Sequence, residues 1–202
     1  MSLIADLTFL EPAERRRIVE TFGQWGGRVR ILMQLLSATV LLAAGPGRPD
    51  PVHALAGRYS WHFRNGTIDG SRYWSDDVVE IVPVDAHHAY VSFNLQFFNG
   101  HECGLSGIAE ANGDSLVYRD LPADREGIAG ECVLPISRTG NKLTWNDADG
   151  GCHMYCGARG GFGNGSIAWS SRRPIKYMAR LKASKEYHDA LIEWRTGKPV
   201  DQ

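Results

Sequence analysis

The chain has 202 residues, with 22 Lys plus Arg against 23 Asp plus Glu and a formal net charge of −1. Without a basic excess it lacks the electrostatic footprint of a nucleic-acid or anionic-membrane binder. Its length suits one domain plus a targeting segment, and its four cysteines form an even set that can close two disulfides.

Arg28 and Arg30 precede the one long apolar run, residues 31–44, which spans 14 residues. That is too short for a usual membrane span and reads as the h-region of a secretory signal. Upstream, Pro12 with Ile18, Val19 and Phe22 suits a short amphipathic helix. Ala54-Leu55-Ala56 before Gly57 obeys the small-x-small cleavage rule, and Ala44 and its neighbours offer an earlier cut with a poorer motif. Residues 1–56 are therefore expected to be an N-terminal leader. The mature product is expected in the periplasm or the medium, where all four downstream cysteines meet an oxidising compartment. Removing residues 1–56 leaves 16 basic and 18 acidic side chains, so export exposes no hidden basic module.

From Gly57 the period becomes two. Tyr59, Trp61 and Phe63 alternate with Ser60, His62 and Arg64, and Ala89, Val91, Phe93, Leu95 and Phe97 alternate with polar neighbours. Such alternation gives each strand one apolar face. Further runs are expected near 78–84, 103–109, 115–119, 132–136, 143–145, 166–169 and 175–181. Between them Asn65-Gly66, Asp69-Gly70, Asn99-Gly100, Asn112-Gly113, Thr139-Gly140 and Asp149-Gly150 provide turn chemistry. Residues 57–182 are thus expected to form a mainly β domain, an antiparallel barrel of about eight strands closed to remove its edges. In residues 183–202, Ser184 can cap a helix whose Tyr187, Ala190, Leu191 and Trp194 share one face, with Gly197 as its stop. That face should lie on the barrel, leaving a short tail.

Strand parity turns Cys103 and Cys132 toward the core. Of the three pairings open to four cysteines, Cys103–Cys132 with Cys152–Cys156 is the expected one, stapling the barrel. A metal site is the rival, since Cys152-x3-Cys156 has zinc-ligand spacing around His153, but no second compact ligand pair accompanies it. No metal and no cofactor are expected.

The chain has no nucleophile elbow, no His-Glu-x-x-His and no phosphate loop followed by Lys-Ser/Thr, so no catalytic residues and no enzyme activity are expected. His87-His88 after Asp85 reads as a solvated turn, and Asp147 and Asp149 as turn caps. Glycine-rich 160–165 precedes a strand, where a phosphate cradle needs a helix. Tyr73 and Trp74, placed between strands, and Arg159, Phe162 and Asn164 in the glycine-rich loop are the expected binding residues.

Cys152-His-Met-Tyr-Cys156-Gly157-Ala158-Arg159-Gly160, with His101-Glu-Cys103-Gly-Leu-Ser-Gly107 and Glu131-Cys132-Val-Leu before it, resembles a group of small exported bacterial proteins of mostly unknown function. Some of these are related to lysozyme-inhibitor-type proteins. The likeness spans about residues 57–170, and it implies a periplasmic β-domain with two disulfides. More distantly, Gly57-Arg58-Tyr59-Ser60-Trp61 opening a run of strands that ends in a helix is similar to the lipocalin (calycin) layout, with Tyr59 where that family has tryptophan. The expected function is non-enzymatic binding or inhibition, with a lysozyme-like hydrolase as the implied partner. The alternative is a carrier holding a small apolar ligand among Val91, Phe93, Leu95 and Trp145.

Overall fold

The computed structural model describes residues 50–121 and 130–200. The h-region, the earlier cleavage position near Ala44 and the end of the tail lie outside them. Eight strands follow one another in a single up-and-down antiparallel sheet: β1 (Gly57–Gly66), β2 (Arg72–Pro83), β3 (His88–Gln96), β4 (Glu102–Asn112), β5 (Ser115–Arg119), β6 (Val133–Thr139), β7 (Lys142–Asn146) and β8 (Asn164–Ala168). The sheet curls into a nearly closed barrel, as the two-residue period predicts. On β3, Ala89, Val91, Phe93 and Leu95 are buried inside, while Asn94 is exposed on the outer face. Asn99 and Gly100 take φ of 63° and 72°, the left-handed pair that a tight β3–β4 turn demands.

Side chains fill the interior. The Phe93 ring meets Trp145 edge-on at 5.2 Å and Phe162 at 5.7 Å. Glycines make room for the large rings: a Cβ on Gly165 would fall 2.1 Å from the Trp145 indole, and one on Gly107 would fall 2.2 Å from the Tyr118 ring.

The core begins before the expected leader ends. Asp50 caps a short helix α1 (Pro51–Ala54), accepting the Val52 N–H at 2.9 Å. Val52 and the following Leu55 are fully buried in the same core as Tyr59 and Leu116. The Tyr59 hydroxyl donates to the Leu55 carbonyl at 2.8 Å, and burial pushes its phenol up to about 12. Helix α1 touches β2, β4 and β5 and so plugs one end of the barrel. A cut after Ala56 would remove this plug.

Residues 175–181, expected as a strand, instead form a turn and the start of helix α2 (Met178–Lys182). Ile175 and Leu181 are buried in a second core on the outer wall, with Val82, Tyr90, Tyr187 and Ala190. Helix α3 (Lys185–Thr196) covers that wall as expected. Ser184 accepts the Tyr187 N–H at 3.2 Å, Gly197 ends the helix with φ 64°, and the Tyr187 ring rests 4.9 Å from Tyr90. No helix among the described residues is long and apolar enough to cross a membrane.

Both disulfides form, but the pairing differs from the expected one: Cys103 joins Cys156 and Cys132 joins Cys152. The cause is a gap in the sheet. Strand β5 pairs only with Ala109–Asn112, so the first half of β4 has an open edge. Residues 156–160 run along it. The Gly157 N–H donates to the Glu102 carbonyl at 2.8 Å, and Cys103 faces Cys156 across an antiparallel bridge. At the other end of the same loop Gly151 lies on the Glu131 carbonyl, where a Cβ would sit 2.0 Å away, and this brings Cys152 to Cys132. Two disulfides with no free cysteine mark a protein kept outside the reducing cytoplasm.

Candidate functional site

The barrel is not laced shut along its whole height. Arg58 and Arg173 exchange both backbone hydrogen bonds, at 2.9 and 2.8 Å, and the Ser60 N–H reaches the Ser171 hydroxyl at 3.2 Å. Past Ser60 no ladder joins β1 to β8. Strands β2 and β3 also part: their register begins at Val78 opposite Asn94, and the Gln96 N–H turns to the Asp77 carboxylate at 2.7 Å. Half-buried there, Asp77 has its pKa raised by desolvation, against the lowering effect of that hydrogen bond. The upper halves of β1 and β2 therefore leave the barrel as a two-stranded ribbon.

Alternation places two different sets of side chains on this ribbon. Trp61 and Phe63 continue the face of β1 that holds Tyr59, yet Trp61 is exposed and Phe63 only half-buried. Their rings stack at 4.6 Å, and Trp61 is 55% exposed. On the other face Trp74, 57% exposed, lies flat against His62 at 4.5 Å and 12°, with the Arg64 guanidinium 5.0 Å from its ring. His62 also meets the Asp76 carboxylate at 2.9 Å.

The ribbon tip is tied down. Thr67 hydrogen-bonds Asp69, and Asp69 also accepts the Ser71 N–H, contacts that hold its carboxyl below the usual range. Buried Asn65 donates to Ser75 and to the Phe97 carbonyl at 3.1 and 2.9 Å. The Gly100 N–H donates to the Tyr73 hydroxyl at 3.0 Å, and the Ile68 N–H to Asn99 at 3.1 Å. A hollow of about 310 Å³ opens here, lined by Arg64, Arg72, Thr67, Ser71, Gly66 and Phe98. Neither arginine has a carboxylate within ion-pair distance among the described residues.

Five large apolar side chains are exposed among the described residues: Trp61, Ile68, Trp74, Phe98 and Ile192. The first four belong to the ribbon or to the turn fastened to it. Isolated exposed apolar residues are ordinary, whereas a cluster marks an interaction surface.

Of the five expected binding residues, two lie on this ribbon, on its opposite faces. Tyr73 and Trp74 lie within β2, not between strands, because the strand begins at Arg72. Arg159 and Asn164 are exposed, but no hydrogen bond, ion pair or ring contact joins either to Tyr73 or Trp74. Phe162 is a correction: at 3% exposure it is a core residue packed on Phe93. Sequence reasoning missed Trp61 as a surface residue, since alternation alone assigns it to the interior, and Ile68 and Phe98 gave no periodic signal.

A second concavity of about 440 Å³ lies between α3 and the outer face of β3–β5, lined by His88, Ile108, Glu110, Val117, Arg119 and Trp194. His88 packs 4.6 Å from Trp194 and hydrogen-bonds Asp85, which also caps the turn backbone. Comparison with protein-family models, curated proteins and solved structures finds no match for this chain.

Proposed function

We propose that this chain is an exported, non-enzymatic binding protein that engages a partner protein through the β1–β2 ribbon. The observation that carries the reading is the clustering of Trp61, Ile68, Trp74 and Phe98 on one hairpin and its adjoining turn. Aromatic and arginine side chains dominate interface energetics, and Arg64 and Arg72 stand among these rings. The tip is held by its own hydrogen bonds, so little ordering is needed on association. A carrier role has less support, because Phe93, Trp145 and Phe162 meet in the interior space that an apolar ligand would need.

The sequence resemblance makes a lysozyme-like hydrolase the first partner to test. Titration calorimetry and inhibition assays against chicken-, goose- and invertebrate-type lysozymes should find one that binds. The double variant Trp61→Ala/Trp74→Ala should weaken that binding at least tenfold. No binding and no inhibition in any class would remove the hydrolase as partner. Unchanged affinity in the double variant would remove the ribbon as the surface.

A further inference from the structure

The ribbon also has an unused strand edge. In an antiparallel ladder a residue's N–H and C=O point to the same side, and successive residues alternate. Because Arg58 bonds Arg173 through both groups, the even residues of β1 turn away from β2. His62 and Arg64 therefore present N–H and C=O along the outer edge, and no described residue accepts or donates there. The facing edge of β8 is in the same state. The Asp147 N–H bonds Gly163 and the Trp169 N–H bonds Asn141, so odd residues serve β7, and Asn164 and Ser166 turn toward the seam.

We propose that this open edge of β1 receives an extended segment of the partner by strand addition, and that the segment alternates acidic and apolar side chains. The inference rests on the ribbon being the binding surface and specifies how it binds. An edge of alternating donors and acceptors is matched by another polypeptide in extended form. On one face of the added strand, alternate side chains meet the Trp61–Phe63 stack, which calls for apolar residues. On the other face they lie beside Arg64, with Arg72 one strand away on β2 opposite Gly66, and neither cation has a carboxylate partner among the described residues. A second copy of this chain fits poorly, because antiparallel edge pairing around Phe63 would set Arg64 against the other copy's His62 and Arg64 region. A glycan could stack on Trp61 and Trp74, but it has no matching series of amide groups.

The test uses the oxidised full-length chain and a display library of random linear twelve-residue peptides. Enrichment of peptides that alternate acidic and apolar residues is expected. The best synthetic peptide should lose at least tenfold in affinity on His62→Pro, which removes a free edge N–H without touching the β1–β2 ladder. His62→Ala, which also removes the ring stacked on Trp74 but keeps the edge N–H, should cost clearly less than His62→Pro. N-methylating the peptide at alternate amides should abolish binding to the unaltered protein, a result that does not depend on whether the proline variant folds.

Peptide binding that Trp61→Ala/Trp74→Ala abolishes but that survives both His62→Pro and N-methylation would overturn strand addition and leave the ribbon surface standing. Binding insensitive to all of these changes would overturn both readings. No enrichment of linear peptides, preferential binding of soluble peptidoglycan glycan strands, or a stable dimer in sedimentation broken by His62→Pro would each overturn the inference.

Discussion

Leu55 gives the sharpest test of where the folded unit begins. It is 2% exposed and follows helix α1, and with fully buried Val52 it plugs the barrel end beneath Tyr59. Replacing it with alanine deletes most of a buried side chain and leaves a cavity ringed by β-strand residues that cannot easily collapse. Such changes cost about 2–5 kcal/mol, and about 3 is expected here. At a urea m-value of about 2 kcal/mol/M, the midpoint of a full-length Leu55→Ala chain should fall by about 1.5 M at constant m. A chain starting at Gly57 loses both side chains and the carbonyl that Tyr59 bonds, roughly 4–7 kcal/mol in sum, comparable with the whole stability of many domains. It should be largely unfolded. A midpoint shift under 0.3 M for Leu55→Ala, or a cooperatively folded chain from Gly57, would refute the plug and restore cleavage after Ala56.

Non-reducing peptide mapping should recover Cys103 with Cys156 and Cys132 with Cys152. Serine at both ends should cost about 4 kcal/mol for the first bridge and about 3 for the second in the chain-entropy model, read by urea unfolding. Gly151→Ala drives a methyl group against the Glu131 carbonyl at 2.0 Å; backbone cannot swing aside, so a loss of about 3 kcal/mol or more and incomplete oxidation are expected, measured by urea unfolding and thiol titration. Because burial raises the Asp77 pKa in the folded state, the fold binds this proton more tightly than the unfolded chain does. Its contribution to stability therefore grows as pH falls through the folded pKa toward the unfolded value of 3.8 and is weakest at neutral pH. Asp77→Asn, which keeps an acceptor for the Gln96 N–H, should leave neutral-pH stability equal or higher and remove that slope; a clear loss at pH 7 would contradict this.

The barrel was legible because alternation in 89–97 and the Asn99-Gly100 turn are local signals, and so was α3, with Ser184 and Gly197 marking its ends. Three features depended on contacts distant in sequence. The disulfide pairing follows from where β5 leaves β4, which strand parity cannot reveal. Residues 175–181 mix apolar and basic side chains in a pattern that fits a short strand or a helical turn, and packing on Val82 and Tyr90 selects the turn and helix. Trp61 reads as a core residue by parity and is exposed where no ladder pairs β1 with β8. Asn65-Gly66 looked like a turn, yet Asn65 is held inside β1 by Ser75 and Phe97, and the chain reverses at Thr67–Gly70. Helix α1 was hidden by a plausible cleavage motif that its own Leu55 forms part of.

Site-specific photo-crosslinking in the native host tests the binding surface most directly. A photoreactive residue replacing Trp74 or Arg64 should give one discrete adduct with a partner polypeptide, and the same residue replacing Ile192 on α3 should give none. Adducts from position 192 with none from 64 or 74 would move the interaction surface to helix α3 and contradict the account.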